Sequence, residues 1–481
     1  MYDRMVKVGS TPVLNAVSFF LMVGSALLAL LSIAAQRSAG CVLANRLTAN
    51  GRYSVLVLEA GGHDRNFWIW MPIGYGKAFY DKKINWMYST EPDPGTNDRS
   101  SYWPRGKVIG GSSSINAMVY IRGQQTDFED WKALGNKGWG WDDVLPYFKK
   151  SETSDQGATK WRGGEGPLYV STMEQDLHPT CQNYLRAGVE CGLKHVEDFN
   201  AGEAEGIGLY QNTAKDGLRM SAARAYLHPV RKRKNLRLGV EYIQNGKTKQ
   251  AFAKREVVLS AGSINTPQIL QAFRIVHDQP NVGQNLQDHL SIDSLPTKPS
   301  TLAWLELCSC PGKRALMSPD AFSGIIMGAQ PTRPTSRGYL EIKSSDPFVA
   351  PAIHPNYLST NQDVSEMLEG ARVLRKLSSA PSFKSIIKEE IIPGKNVQSD
   401  EEMIADIRER VGTVFHPVST CKMGPDEKTS VVNDKLQVYG LKNLRVVDAS
   451  VFPTVTSGNT NAPTIMVAEK AADIILEQQV G

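Results

Sequence analysis

The sequence predicts an α/β fold, α+β overall, on three observations. Residues Ala39, Gly40, Val42, Leu43 and Leu47 suit a helix packed on a sheet, and Tyr53–Leu58 then forms a strand ending at an acid, Glu59. Far along the chain, Leu444–Val447 is a short apolar run rich in β-branched residues, as expected of a buried strand, and it leads into a helical pattern. The 481 residues leave room for two substantial domains or one large one.

In chain order, Val13–Ala35 is almost wholly apolar and follows Arg4 and Lys7. About 23 residues are enough to span a bilayer, with the basic residues on the cytoplasmic or matrix side. The segment 1–27 is therefore a candidate anchor or signal. The competing reading makes Leu28–Ala34 the first strand of the fold. One stretch cannot do both.

Glu59 stands where an acid would hold ribose hydroxyls, about twenty residues past a glycine-rich turn. The six turn positions are Ala35, Gln36, Arg37, Ser38, Ala39 and Gly40, so only the last glycine of G-x-G-x-x-G is present. From these residues alone, a dinucleotide-binding unit and a plain βαβ unit stay equally open.

Residues 103–123 (WPRGKVIGGSSSINAMVYIRG) are rich in glycine and serine, yet Ile109, Ile115, Met118, Val119 and Ile121 argue for ordered, buried backbone. Such a run lets the main chain lie against a flat ligand and direct amide groups at it. Residues 124–152 are helical in part, with Trp131, Trp139 and Trp141 as core aromatics. Glu366–Leu377 and Asp400–Arg410 are amphipathic helices, and the basic run Arg231–Lys234 is a solvated turn.

His416 opens the last informative stretch. The helix after Thr460 repeats apolar residues at Ile465, Val467, Ala468, Ala471, Ala472 and Ile475, with Asn461 and Pro463 at its start. A candidate base thus lies close in sequence to a helix N-terminus, which favours negative charge. His289, within QDHL, is read as structural.

Composition excludes other classes. With 41% apolar and 21% charged residues the chain is an ordinary globular protein, and a formal charge of +5 without a basic–aromatic block argues against nucleic acid. The cysteines 41, 181, 191, 308, 310 and 421 form no metal-spaced pair, so no metal site is expected.

Taken together, LEAGG, PRGKVIGGSSSINAMVYIRG, SAGSINTPQILQ, VGQNLQDHL, PNYLST, FHPVSTCKMG, NLRVVDAS and SGNTNAPTIM make the chain resemble the glucose–methanol–choline oxidoreductase family, with its choline dehydrogenases as the nearest likeness. The resemblance covers most of residues 38–290 and 320–478. It implies FAD in a Rossmann-like domain (28–170, 205–290 and 430–481), interleaved with an antiparallel-sheet substrate domain (171–204 and 291–429). The implied catalytic pair is His416 and Asn461. The implied cofactor residues are Glu59 at the adenosine ribose; Gly40, Gly106, Val108, Gly111, Ser112, Asn116, Ala117, Met118 and Val119 along the pyrophosphate and flavin; Asp448 at the ribityl chain; and Ala462, Pro463 and Thr464 at the pyrimidine end. Ile115 stands where some members carry a flavin-linking histidine, so non-covalent FAD is implied.

The implied reaction oxidises a primary alcohol to an aldehyde, choline to betaine aldehyde, by hydride transfer to flavin N5 while His416 handles the hydroxyl proton. A sugar or aryl alcohol is an alternative substrate. A quinone or other acceptor would take the electrons. Likeness to choline dehydrogenase implies the mitochondrial inner membrane; a secretory or bacterial membrane is the alternative.

The chain departs from the family pattern. Glycines are missing at 35 and 37, and segments look absent after Leu238, after Gln271 and between Leu290 and about Phe322. The last gap is expected to remove most of a substrate-domain sheet and leave SIDSLPTKPSTLAWLELCSCPGKRALMSPD as a connector. A family member that no longer retains FAD is therefore the alternative to an active enzyme.

Overall fold

The computed structural model describes residues 38–172, 177–202, 204–239, 243–244, 247–248, 253–272, 278–297, 324–346 and 348–477. The apolar stretch before Ser38 lies outside these residues, as does the first half of the glycine turn. Among the described residues, no helix is long and apolar enough to cross a membrane.

Helix α1 (Ser38–Leu47) is buried over its first two turns and leads to strand β1 (Val55–Leu58). Helices α2 (Gln125–Ala133) and α3 (Trp141–Ser151) follow, the second with two acids in its first turn and two lysines in its last, matching the helix dipole. Trp131, Trp139 and Trp141 are core residues, as expected. Strand β2 (Leu236–Gly239) pairs in parallel with β1, and β3 (Val257–Leu259) precedes helix α4 (Gly262–Ala272).

Strand β4 (Leu290–Thr297) then starts an antiparallel sheet with β5 (Met327–Ala329). Helix α5 (Asn361–Ser379) is followed by β6 (Glu389–Ile392), helix α6 (Asp400–Arg410) and β7 (Gly412–Thr413); both β6 and β7 pair antiparallel with β4. Here the structure corrects an expectation. Residues 291–297 are not connector but the central strand of a four-stranded sheet. Pro296 is accommodated where the β4–β6 register shifts, between Leu295 and Pro296, as proline in a strand requires.

The chain returns with β8 (Leu444–Val446), parallel to β3, and α7 (Asn461–Glu477). Helix α7 packs on α1 in the largest apolar core, where Arg46 pairs with the fully buried Glu469 at 2.7 Å. A second core lies under the antiparallel sheet, around Leu290, Ile292, Met367 and Ile407. Parallel sheets are ordinarily covered on both faces, yet Leu56 is 40% and Leu238 37% exposed on β1 and β2.

Candidate active site

The glycine-serine run folds back on itself. Gly111 N donates to Val108 O at 2.7 Å, and Gly106 lies so close that a Cβ there would sit 2.3 Å from the Gly111 carbonyl. Only glycine fits. A bridge between Gly62 and Val108 brings the end of β1 alongside, so the buried Glu59, whose Oε1 accepts the Gly61 amide at 2.7 Å, borders the run. Gly106, Val108, Gly111 and Met118 are buried, whereas Ser112, Asn116, Ala117 and Val119 reach the surface of the turn. A collapsed backbone with this short accessible stripe suits a flat ligand.

The same run is tied to His416. Arg105 donates to Phe415 O at 2.6 Å, and Val108 and Ile115 share an apolar cluster with Phe415. Phe415 takes the left-handed conformation (φ +69°), uncommon for so bulky a residue; its amide is held by Thr413 Oγ1 at 2.9 Å. The buried Asp288 accepts from the His416 amide at 2.7 Å, from Thr413 at 2.6 Å and from Tyr357 at 2.5 Å. Burial raises the carboxyl's pKa, and these hydrogen bonds oppose the rise.

Pairing between β4 and β7 continues through Gln287 and Val418, so His289 lies beside the 413–416 turn. Its Nδ1 is 3.0 Å from His416 Nδ1, and its Nε2 is 2.9 Å from Thr332 O. A carbonyl only accepts, so His289 Nε2 carries the hydrogen. In a neutral ring Nδ1 then accepts, His416 Nδ1 must donate, and His416 Nε2 keeps its lone pair. Asn459 Nδ2 lies 3.0 Å from that Nε2. The chain of donors runs in one direction, from Asn459 through His416 and His289 to Thr332. Burial holds both rings neutral: His289 is pushed down to about 4, and His416 falls well below its ordinary value through burial and then the charges of His289 and Arg105.

Asn461, expected as the catalytic partner of His416, is not hydrogen-bonded to that ring. It is the first residue of α7, where its Oδ1 accepts from Ser38 Oγ at 2.8 Å and pins α7 to α1. Asn459 is the asparagine that meets His416, on a loop anchored by two hydrogen bonds from Ser457 to Asp127. His289, read as structural, is hydrogen-bonded to His416, a contact that the sequence reading did not anticipate.

Asp448 is fully buried, and its carboxylate accepts from the Gly262 amide, Thr266 Oγ1 and the Ser450 amide at 2.6–2.8 Å, holding the start of α4. Its side chain faces inward. Gly40 lies buried in α1, and Ala462, Pro463 and Thr464 in the first turn of α7, where Thr464 Oγ1 bonds Thr460 O at 2.6 Å. A cavity of about 480 Å³ between Arg255, Asn433 and Lys442 contains none of these groups. Among the described residues no cluster could hold a metal ion.

Comparison with known proteins gives this geometry a family. The GMC oxidoreductase model matches residues 18–238 and 237–291 with its N-terminal part and 334–468 with its C-terminal part. The chain belongs to the GMC oxidoreductase family, and is an FAD-dependent oxidoreductase acting on CH–OH donors. It is 40% identical to the alcohol dehydrogenase [acceptor] of Pseudomonas putida, over 92% of this chain and 94% of that one. It is also 40% identical to the mitochondrial choline dehydrogenase of Mus musculus, over 91% and 88%. Among solved structures, pyridoxine 4-oxidase from Mesorbium loti superposes with a TM-score of 0.83 at 30% identity, covering 92% of this chain and 98% of that one.

Proposed function

We propose that this chain oxidises a primary alcohol to its aldehyde, with choline as the foremost substrate, and that His416 and Asn459 handle the reacting oxygen. The observation that carries the reading is the one-way hydrogen-bond chain, which directs the lone pair of His416 Nε2 at the Asn459 amide. An alcohol hydroxyl can insert between the two groups, replacing their direct contact: it donates its proton to Nε2 and accepts from Nδ2. Burial keeps His416 neutral, so Nε2 is an acceptor at neutral pH, and the alcohol hydroxyl takes the place that the Asn459 amide fills in the resting chain. Asn459 supplies a fixed donor for the negative charge that develops on the oxygen. His289 keeps His416 in the tautomer that exposes Nε2.

FAD, when bound, would supply the hydride acceptor for the alcohol carbon. The turn 106–119 is assigned to hold it non-covalently, with Glu59 at the ribose; Asp448, whose carboxylate is engaged by Gly262, Thr266 and Ser450, is assigned to the ribityl chain. Electrons pass to a quinone or other acceptor. The test is product formation by the reconstituted full chain, with an artificial quinone as acceptor and choline, a medium-chain aliphatic alcohol and an aryl alcohol compared in parallel. Betaine aldehyde formed with the highest kcat/KM supports choline. A higher kcat/KM for the aliphatic or the aryl alcohol replaces choline as the assigned substrate.

A second reading, a family member that has lost FAD, draws on different observations. The alignments to relatives run to 522 residues against 481 in the chain, consistent with absent segments. Leu56 and Leu238 are exposed on a parallel pair of strands. This reading predicts a folded chain that binds no flavin.

A further inference from the structure

Arg219 is 2% exposed and has no carboxylate within ion-pair distance among the described residues. Arg122 and Arg162, the other two fully buried arginines among the described residues, differ. They share Glu152 at 2.6 and 2.8 Å, and Arg162 also reaches Asp198. Arg219 instead touches only neutral acceptors. Its Nε donates to Ile69 O at 2.8 Å, and its Nη1 to Ser113 O at 3.3 Å, Asn116 O at 2.6 Å and Asn116 Oδ1 at 2.7 Å. Nη2 is buried without a partner among the described residues. Burial pushes the guanidinium down to about 9, so it stays charged at neutral pH. A buried, unmatched cation is costly and calls for an anion that arrives later.

The contacts show what the charge is positioned to do. Ser113 O and Asn116 O close the turn that begins at Gly111, so Arg219 braces that turn from behind. Asn116 Oδ1 is filled by Arg219 and by the Met118 amide at 3.2 Å. Both of those groups only donate, which fixes the amide orientation and leaves Asn116 Nδ2 as a donor without a hydrogen-bond partner among the described residues. Asn116 is itself half-exposed, on the accessible stripe of the turn.

We infer that Arg219 is a cofactor-positioning residue: it shapes the 111–118 turn, aims the Asn116 amide outward, and matches with its unpaired charge the negative charge that FAD brings there. The inference rests on the assignment of this turn to FAD made above. Lysine keeps the charge but cannot reproduce the fork that joins Ile69 to the turn.

The experiment is equilibrium binding of FAD and of riboflavin to the full-length apoprotein, followed by flavin fluorescence, for the wild type, Arg219→Lys and Arg219→Met. Circular dichroism and Tm of the apo forms control for folding. The expected result is at least tenfold weaker FAD binding in Arg219→Met and a smaller loss in Arg219→Lys. A loss for FAD alone assigns the charge to the diphosphate, and a loss shared by riboflavin assigns it to the ring system; both support the inference. A folded Arg219→Met that binds FAD within twofold of wild type overturns it, as does the same result for Arg219→Lys should the methionine variant not fold. A folded wild-type apoprotein that binds no FAD overturns the FAD assignment itself.

Discussion

His289 Nδ1 and His416 Nδ1 lie 3.0 Å apart in a T-shaped pair of rings, and the Thr332 carbonyl at the far side of His289 decides which of the two carries the shared hydrogen. The consequence is a lone pair on His416 Nε2 that faces Asn459.

If His416 is the group that accepts the alcohol proton, His416→Ala lowers kcat by about 10²–10⁴-fold, the range for a lost general base. FAD content of the purified variant stays at the wild-type level. Steady-state kinetics normalised to flavin absorbance checks this.

The two asparagines of the NTN sequence separate cleanly. Asn459→Ala removes the donor beside Nε2, and kcat drops about 10²-fold, as for loss of one oxyanion donor. Asn461→Ala loses its bond to Ser38, which costs about 1 kcal/mol of stability, and leaves kcat within a few-fold. Thermal melts and kinetics on both variants make the comparison. Equal effects on kcat would contradict the assignment.

His289 acts through His416. His289→Phe leaves His416 Nδ1–H without its acceptor and frees the ring to change tautomer, so kcat falls by roughly 10–100-fold, the scale of lost orienting partners elsewhere. His289→Asn restores an acceptor oxygen and part of the rate. A full loss in both variants would point to packing rather than tautomer control.

Acid should destabilise the fold through His289. Its folded pKa, about 4, lies below the ordinary 6.5, so the unfolded chain binds more protons between these values. Stability is complete above pH 6.5 and declines as pH falls toward 4, by about 3 kcal/mol for this one group. The decline should shrink in His289→Phe. Denaturant titrations at pH 7.5 and 4.5 on both proteins measure the difference.

Much of this architecture is legible in the residues. Asp400–Arg410 is read correctly because Ser399 and Glu402 cap it reciprocally and its apolar face has helical spacing. The run 103–123 is legible because glycine and serine alternate with apolar residues that must be buried. The site is less so. Asn459 and Asn461 are two residues apart, and only the starting point of α7 determines which one meets His416 and which meets Ser38. The role of His289 comes from antiparallel pairing between segments 127 positions apart, for which no local signal exists. Strand β4 is hidden by its serines and Pro296, which a strand tolerates where its register shifts. Arg219 gives no signal in sequence either, since its lack of a counter-charge is a property of the packed turn.

The central claim, a working FAD site joined to the His416–Asn459 pair, is tested most directly by the visible absorption spectrum of the full-length chain after incubation with FAD and gel filtration, before and after anaerobic addition of choline. The account predicts a retained flavin band that bleaches with choline in the wild type and persists in His416→Ala. A folded wild-type protein that retains no flavin band would contradict it.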